Sequence, residues 1–213
     1  MKKKTFRLFN LALGILLALM SAKAFTQEAN ASITLEEVSQ LLAEYPYIRG
    51  NFIQDKYIPS INRTLTSSGK FVITSKEGII WQTEKPYPSI MVVGINHLSQ
   101  GTTVDSMTKM DTSSNRLFVE FATAISSAFS GNLQEIHNTF YVNFVPNGSQ
   151  WQLLLEPREQ AVSQIVKSIQ LQGKNVLDTI TMVEQNGSTI TYHFSQHSFS
   201  QEPTEYEKQL LAR

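Results

Sequence analysis

The 213-residue chain contains no cysteine. That absence excludes disulfide staples, a thiol nucleophile and a thiolate metal site. It also excludes a lipid anchor built on cysteine. Catalytic punctuation is missing as well: the chain lacks G-x-S-x-G, H-E-x-x-H, G-x-x-x-x-G-K-[ST] and any aspartate pair in a short loop. Among the four histidines, His193 and His197 come nearest to a ligand pair. In a strand that spacing separates them by about 13 Å, and nearby Glu202 fixes no third ligand. His97 and His137 are isolated and expected at the surface. Gly148-Ser149 reads as a turn. No catalytic residue, cofactor or metal is expected, and the chain is not read as an enzyme.

An excess of charge of either sign is also missing, with 18 basic and 18 acidic residues. The balance is uneven along the chain. Lys2, Lys3, Lys4 and Arg7 precede an apolar run over 8–20, and Ala22-Lys23-Ala24 has the small-x-small form of a cleavage site. This is the pattern of a secretory signal peptide over 1–24, too short in its apolar part for a membrane span. Cleavage after Ala24 leaves 13 basic residues against 18 acidic ones, a net charge of −5. A mildly acidic exported protein is a poor partner for nucleic acid or an anionic membrane surface. Residues 25–213 are long enough for one domain with a sizeable core.

The chain after the leader opens with a helix over 34–44. Thr34 and Glu37 form a capping box, Leu35, Val38, Leu41 and Leu42 an apolar stripe, and Pro46 a stop. Residues 51–58 read as a strand with Phe52 and Gln54 on one face, and Phe52 is assigned to core packing. The most informative stretch is 67–86. Phe71 and Ile73 alternate with Lys70, Val72 and Thr74, Lys76-Glu77-Gly78 breaks the run, and Ile79-Ile80-Trp81 resumes it, which predicts a hairpin. Ile79 and Trp81 share a face. The run Ile90-Met91-Val92-Val93 predicts a strand buried on both faces. Residues 94–97 turn into a further short strand, and 103–109 predict another.

Character then changes. Residues 116–129 predict a helix whose apolar stripe contains Leu117, Phe118, Phe121, Ile125 and Phe129, flanked by polar connectors over 111–115 and 130–132. A short helix over 133–137 follows. From Thr139 onward the pattern is again strands: Phe140, Val142 and Phe144; Trp151, Leu153 and Leu155; 166–171; Ile180 and Met182; then Asn186-Gly187 and the return of Ile190, Tyr192 and Phe194. The tail over 203–212 predicts a last short helix. The fold class is therefore α+β, mainly β: a single antiparallel sheet with two helices left over to cover it. Composition leaves open whether that cover encloses an ordinary core or a cavity.

The order Phe52-Ile53-Gln54, Ser68-Gly69-Lys70-Phe71, Lys76-Glu77-Gly78, Ile79-Ile80-Trp81 and Pro86 resembles the LolA family of periplasmic lipoprotein carriers, and the similarity extends over most of the chain. The resemblance implies an incomplete barrel, a curved antiparallel sheet whose concave apolar face is closed by helices acting as a lid. It also implies a shuttle role in the periplasm. Acyl chains of a lipoprotein, or a related lipid, are taken from an inner-membrane donor transporter and delivered to an outer-membrane acceptor. A monomer is expected. On this basis the ligand-binding candidates are Phe71, Ile79, Trp81, Ile90, Val92, Phe121, Ile125, Phe129, Leu153, Met182 and Tyr192. Ile79 stands where the family usually has an aromatic residue. The family's latch arginine falls at Ser75, so the lid-latch candidate is Lys76, which lacks arginine's planar fork. Two alternatives stay open: an envelope sensor that uses the same sheet to bind a regulatory partner, and a carrier of glycolipid or polyene lipid.

Overall fold

Short polar turns between alternating runs favour antiparallel neighbours, and the chain forms them throughout. The computed structural model describes residues 32–94, 97–110, 126–127 and 133–212. Its strands are β1 (Tyr47–Ile58), β2 (Arg63–Thr74), β3 (Gly78–Lys85), β4 (Ser89–Gly94), β5 (Leu98–Gly101), β6 (Thr108–Lys109), β7 (Phe140–Asn147), β8 (Gln150–Pro157), β9 (Val166–Gly173), β10 (Leu177–Glu184) and β11 (Thr189–Ser200). The helices are α1 (Leu35–Ala43), α2 (Leu133–Thr139), α3 (Gln160–Ser163) and α4 (Glu205–Leu211). None among the described residues is long and apolar enough to cross a membrane.

All eleven strands join one sheet in the order β6-β5-β4-β3-β2-β1-β11-β10-β9-β8-β7. The chain thus runs as two meanders, β1 to β6 and β7 to β11, joined where the first strand pairs with the last. The sheet is open, as the sequence predicts, with β6 and β7 at its edges. It curves toward one face. Trp81 on β3 and Tyr192 on β11 are three strand positions apart, about 14 Å in a flat sheet. Their ring centroids nevertheless lie 5.1 Å apart. Side chains from β1 to β5 and from β7 to β11 meet on this concave face in one buried cluster, joined by Val38 and Leu42 of α1 and Ile136 of α2. The helix predicted over 116–129 lies outside the described residues, apart from Ser126 and Ser127.

Helix α1 forms as its cap predicts, with the Glu37 amide donating to Thr34 Oγ1 at 3.2 Å and the Thr34 amide to Glu37 Oε2 at 2.7 Å. Three other expectations are corrected. Residues 103–109 are not one strand: the Thr103 amide donates to Ser106 Oγ at 2.9 Å, and a 3-10 turn over Val104–Ser106 replaces the ladder. Local hydroxyl bonds of this kind compete with strand pairing. Strand β1 begins at Tyr47, four residues early, because the chain enters the sheet directly after Pro46. His97 is half-buried rather than exposed, and its Nε2 has no partner among the described residues.

The opposite, outer face carries a second, smaller cluster: Ile80, Ile90, Val92 and Leu210. Leu210 belongs to α4, which lies against β3 and β4. Arg49 fixes this helix. Its Nε and Nη2 donate to the two carboxylate oxygens of Glu207, each at 2.6 Å, while Nη1 reaches Ser200 Oγ at 2.6 Å. Burial alone pushes the Glu207 carboxyl up, but the bonds from Arg49 and Thr204 outweigh it and hold it below its ordinary value of 4.5. Stability tied to Glu207 is therefore complete above that ordinary value. It is lost as pH falls through the lower native one. Arg49→Ala leaves a buried carboxylate without its fork and is expected to cost about 1.5–3 kcal/mol at neutral pH. The same change should flatten the acid-side loss of stability. Urea denaturation of both proteins at neutral and acidic pH checks both parts.

Candidate functional site

The concave face is built around Trp81. Phe71 lies opposite it on β2, and both point inward because directly opposed residues in an antiparallel pair share a face. Phe52 on β1 and Tyr192 and Phe194 on β11 complete the group. Trp81 lies 4.2 Å from Phe52, 6.3 Å from Phe71, 5.1 Å from Tyr192 and 6.1 Å from Phe194, as ring centroids. The last two contacts are edge-to-face, at 87° and 85°. Each such pair contributes about 0.5–1.5 kcal/mol beyond burial of area.

One glycine makes room for these rings and a second for the backbone of the neighbouring strand. Gly50 pairs with Phe71, and a Cβ there would meet the Phe71 ring at 2.7 Å and the Ser195 carbonyl at 2.8 Å. Gly69 pairs with Phe52, and a Cβ there would strike the Gln82 carbonyl at 2.0 Å.

A bulge extends the aromatic group. Arg49 pairs with Ser198 and Asn51 with Ser195, so Gln196 and His197 together face Gly50. Gln196 takes up the extra residue in the left-handed region, with φ 53°. The phase of the strand changes there, and His197 comes to lie 6.0 Å from the Phe71 ring centroid, with Nε2 3.1 Å from the Leu177 carbonyl. Burial holds the His197 imidazole below its ordinary value of 6.5, against the pull of the Leu177 carbonyl and Asp178. Burial, with the charge of Glu184, pushes the Tyr192 phenol well up. Both groups are thus neutral near pH 7, and the face is uncharged along its middle. It ends on an ion pair, Lys56 Nζ to Glu184 Oε1 at 3.0 Å.

Six of the sequence-predicted residues meet in the concave cluster: Phe71, Ile79, Trp81, Leu153, Met182 and Tyr192. Ile90 and Val92 do not. They pair opposite Gln82 and Ile80, which point outward, and Val92 and Ile90 pack with Leu210 on the other face. Their inward neighbours on β4 are Met91 and Val93. Phe121, Ile125 and Phe129 lie outside the described residues. Lys76 is exposed in the turn between β2 and β3. Phe194 and His197 are additions that the sequence reading misses. Phe194 is legible as the residue two places after Tyr192; His197 is not, because the bulge that turns it inward breaks the alternation. Among the described residues no group of three or more acidic, histidine or cysteine side chains is placed to hold a metal. What the face offers is exclusion of water.

A family model described as outer membrane lipoprotein carrier protein LolA matches residues 45–206. The fold is similar to a crystal structure of a LolA superfamily protein from Nitrosomonas europaea, at 10% identity and a TM-score of 0.46, over 81% of this chain and 96% of that one. It is also similar to a putative outer membrane lipoprotein-sorting protein domain from Vibrio parahaemolyticus, at 10% identity and a TM-score of 0.43, over 84% and 98%. A third similarity is to the MucA/MucB complex of Pseudomonas aeruginosa, at 10% identity and a TM-score of 0.42, over 81% and 57%. No curated protein matches the chain.

The depressed His197 value makes a signed prediction. The unfolded chain binds a proton near pH 6.5, whereas the native imidazole resists it, so stability falls as pH drops from about 6.5 toward the native value. His197→Asn should flatten that slope. Thermal melts of both proteins across the range from neutral to mildly acidic pH check it.

Proposed function

The chain belongs to the LolA family, and from that membership and its aromatic concave face we propose that it carries acyl chains through the periplasm. The cargo is a lipoprotein or a related lipid, passed from an inner-membrane donor to an outer-membrane acceptor. The leader over 1–24 directs export and is removed after Ala24, leaving one carrier domain over 25–213. The helix predicted over 116–129 serves as the lid, with Phe121, Ile125 and Phe129 facing the cargo and Lys76 as its latch. The observation that carries this reading is the ring cluster around Trp81, set in an open sheet.

The energetics suit uptake and release. Separating the four ring contacts of Trp81 costs about 2–6 kcal/mol. Burying a methylene gains about 0.8 kcal/mol, so roughly eight methylenes offset the opening. A longer chain binds with a surplus, yet each increment is small and non-directional.

Two measurements test the reading. Native mass spectrometry of protein isolated from the periplasm should show acyl-bearing ligand. Trp81 emission should also shift when dodecanoic acid or a fluorescent acyl probe is added to a Trp151→Phe variant. Trp151 is the other tryptophan, held by its Nε1 donating to the Lys174 carbonyl at 2.9 Å. Trp81→Phe should weaken probe binding about tenfold while the circular dichroism spectrum is unchanged. Protein that is free of ligand and leaves Trp81 emission unmoved by acyl probes would overturn the proposal.

A further inference from the structure

Large apolar side chains are exposed together at one end of the sheet. The β1–β2 turn and the β3–β4 turn lie at the same end, because the two hairpins adjoin where Ser68 pairs with Lys85. Here Ile61, Leu65 and Tyr87 are 58%, 54% and 83% exposed, while Tyr57, 41% exposed, lies on the opposite face of the hairpin from Leu65, since Tyr57 pairs with Thr64 and Leu65 with Lys56. Single exposed apolar residues need no explanation, but three gathered at one end of a sheet do. Strand β2 also runs past its neighbour: its pairing with β3 ends at Ser68, so residues 63–67 have no partner on that side among the described residues.

The longer tip is ordered by its own bonds. The Asn62 amide donates to the Pro59 carbonyl at 3.1 Å, and Asn62 takes the left-handed conformation, with φ 48°. The Tyr57 hydroxyl donates to Asn62 Oδ1 at 3.2 Å, and the Thr66 hydroxyl to Asp55 Oδ1 at 2.6 Å. The turn therefore presents Ile61 and Leu65 to water in a fixed arrangement.

Charge identifies the occupant. The cations at this end are Lys56, Arg63, Lys70 and Lys85, although the chain after the leader is acidic overall. Lys56 and Lys70 are paired, with Glu184 at 3.0 Å and Glu84 at 2.9 Å, and the Asp55 carboxylate accepts from Thr66. Arg63 and Lys85 are exposed beside the apolar tips and form no ion pair among the described residues. Apolar tips ringed by tyrosine, with cations free to meet phosphate, match the boundary of an anionic bilayer.

We propose that the β1–β2 and β3–β4 turns dock this protein on an anionic phospholipid surface. Ile61 and Leu65 enter the headgroup boundary, while Arg63 and Lys85 lie against phosphates. Docking rests on exposure and charge and does not depend on what the concave face carries. The test is flotation of the full protein with vesicles of phosphatidylethanolamine and phosphatidylglycerol, with pure phosphatidylcholine for comparison. The protein should float with the anionic vesicles, less so as salt is raised. The double variant Ile61→Asp/Leu65→Asp should partition about tenfold less. Arg63→Gln/Lys85→Gln should lose the preference for anionic vesicles. These positions are exposed, so circular dichroism and the acyl-probe response of Trp81 should be unchanged in every variant. A wild-type protein that does not float, or that floats no better than the Ile61→Asp/Leu65→Asp variant, overturns the proposal. So does a concentration-dependent dimer without lipid that the same double variant abolishes, since the patch is then an interface between copies. Flotation that persists when acyl probes fail to bind removes the carrier reading and leaves the docking surface standing.

Discussion

The structure depends on the pairing of β1 with β11. Each meander alone is a sheet with one apolar face and nothing to close it; zipped together, they place Phe52, Tyr192 and Phe194 at the centre of a single concave face. The pairing also places Gly50 opposite a bulge and beside Phe71, so that the rings from β2 and β3 can lean across β1. The first and last strands lie at opposite ends of the described chain. That separation makes their pairing the costliest contact to form and the one whose loss would divide the core.

A sheet with apolar clusters on both faces must allocate its side chains, and here the allocation is uneven. The concave face receives the rings. The outer face of β3 and β4 receives Ile80, Ile90 and Val92, covered by Leu210 and held by the Arg49–Glu207 fork. The outer cover is anchored by the charged, directional fork of Arg49 on Glu207, whereas Trp81 on the inner face is surrounded by four ring contacts.

Much of this is legible in the sequence. The hairpin over 67–86 can be read from its alternation and its glycine, and Ile79 and Trp81 fall on the concave face as their spacing requires. The run over 90–93 announces burial on both faces, yet nothing local says which face belongs to which residue. Ile90 and Val92 go to the outer face because Leu210, far along the chain, covers them there. Arg49 carries no signal of its own, since its partner Glu207 is 158 residues away. His197 is hidden for a different reason: a bulge shifts the phase of the strand, and alternation counted through it gives the wrong face. The strand expected over 103–109 yields to the mutual bonds of Thr103 and Ser106, a local competition that apolar patterning does not register.

Whether acyl chains enter among the rings of the concave face can be read by photo-crosslinking with a diazirine-bearing fatty acid, the modified residues being located by tandem mass spectrometry. Label is expected on Phe52, Trp81, Tyr192 and Phe194 and little on Ile80, Ile90 or Val92, which share the same strands or their neighbours but face outward. Label concentrated on the outer face, or spread without regard to face, would contradict entry there.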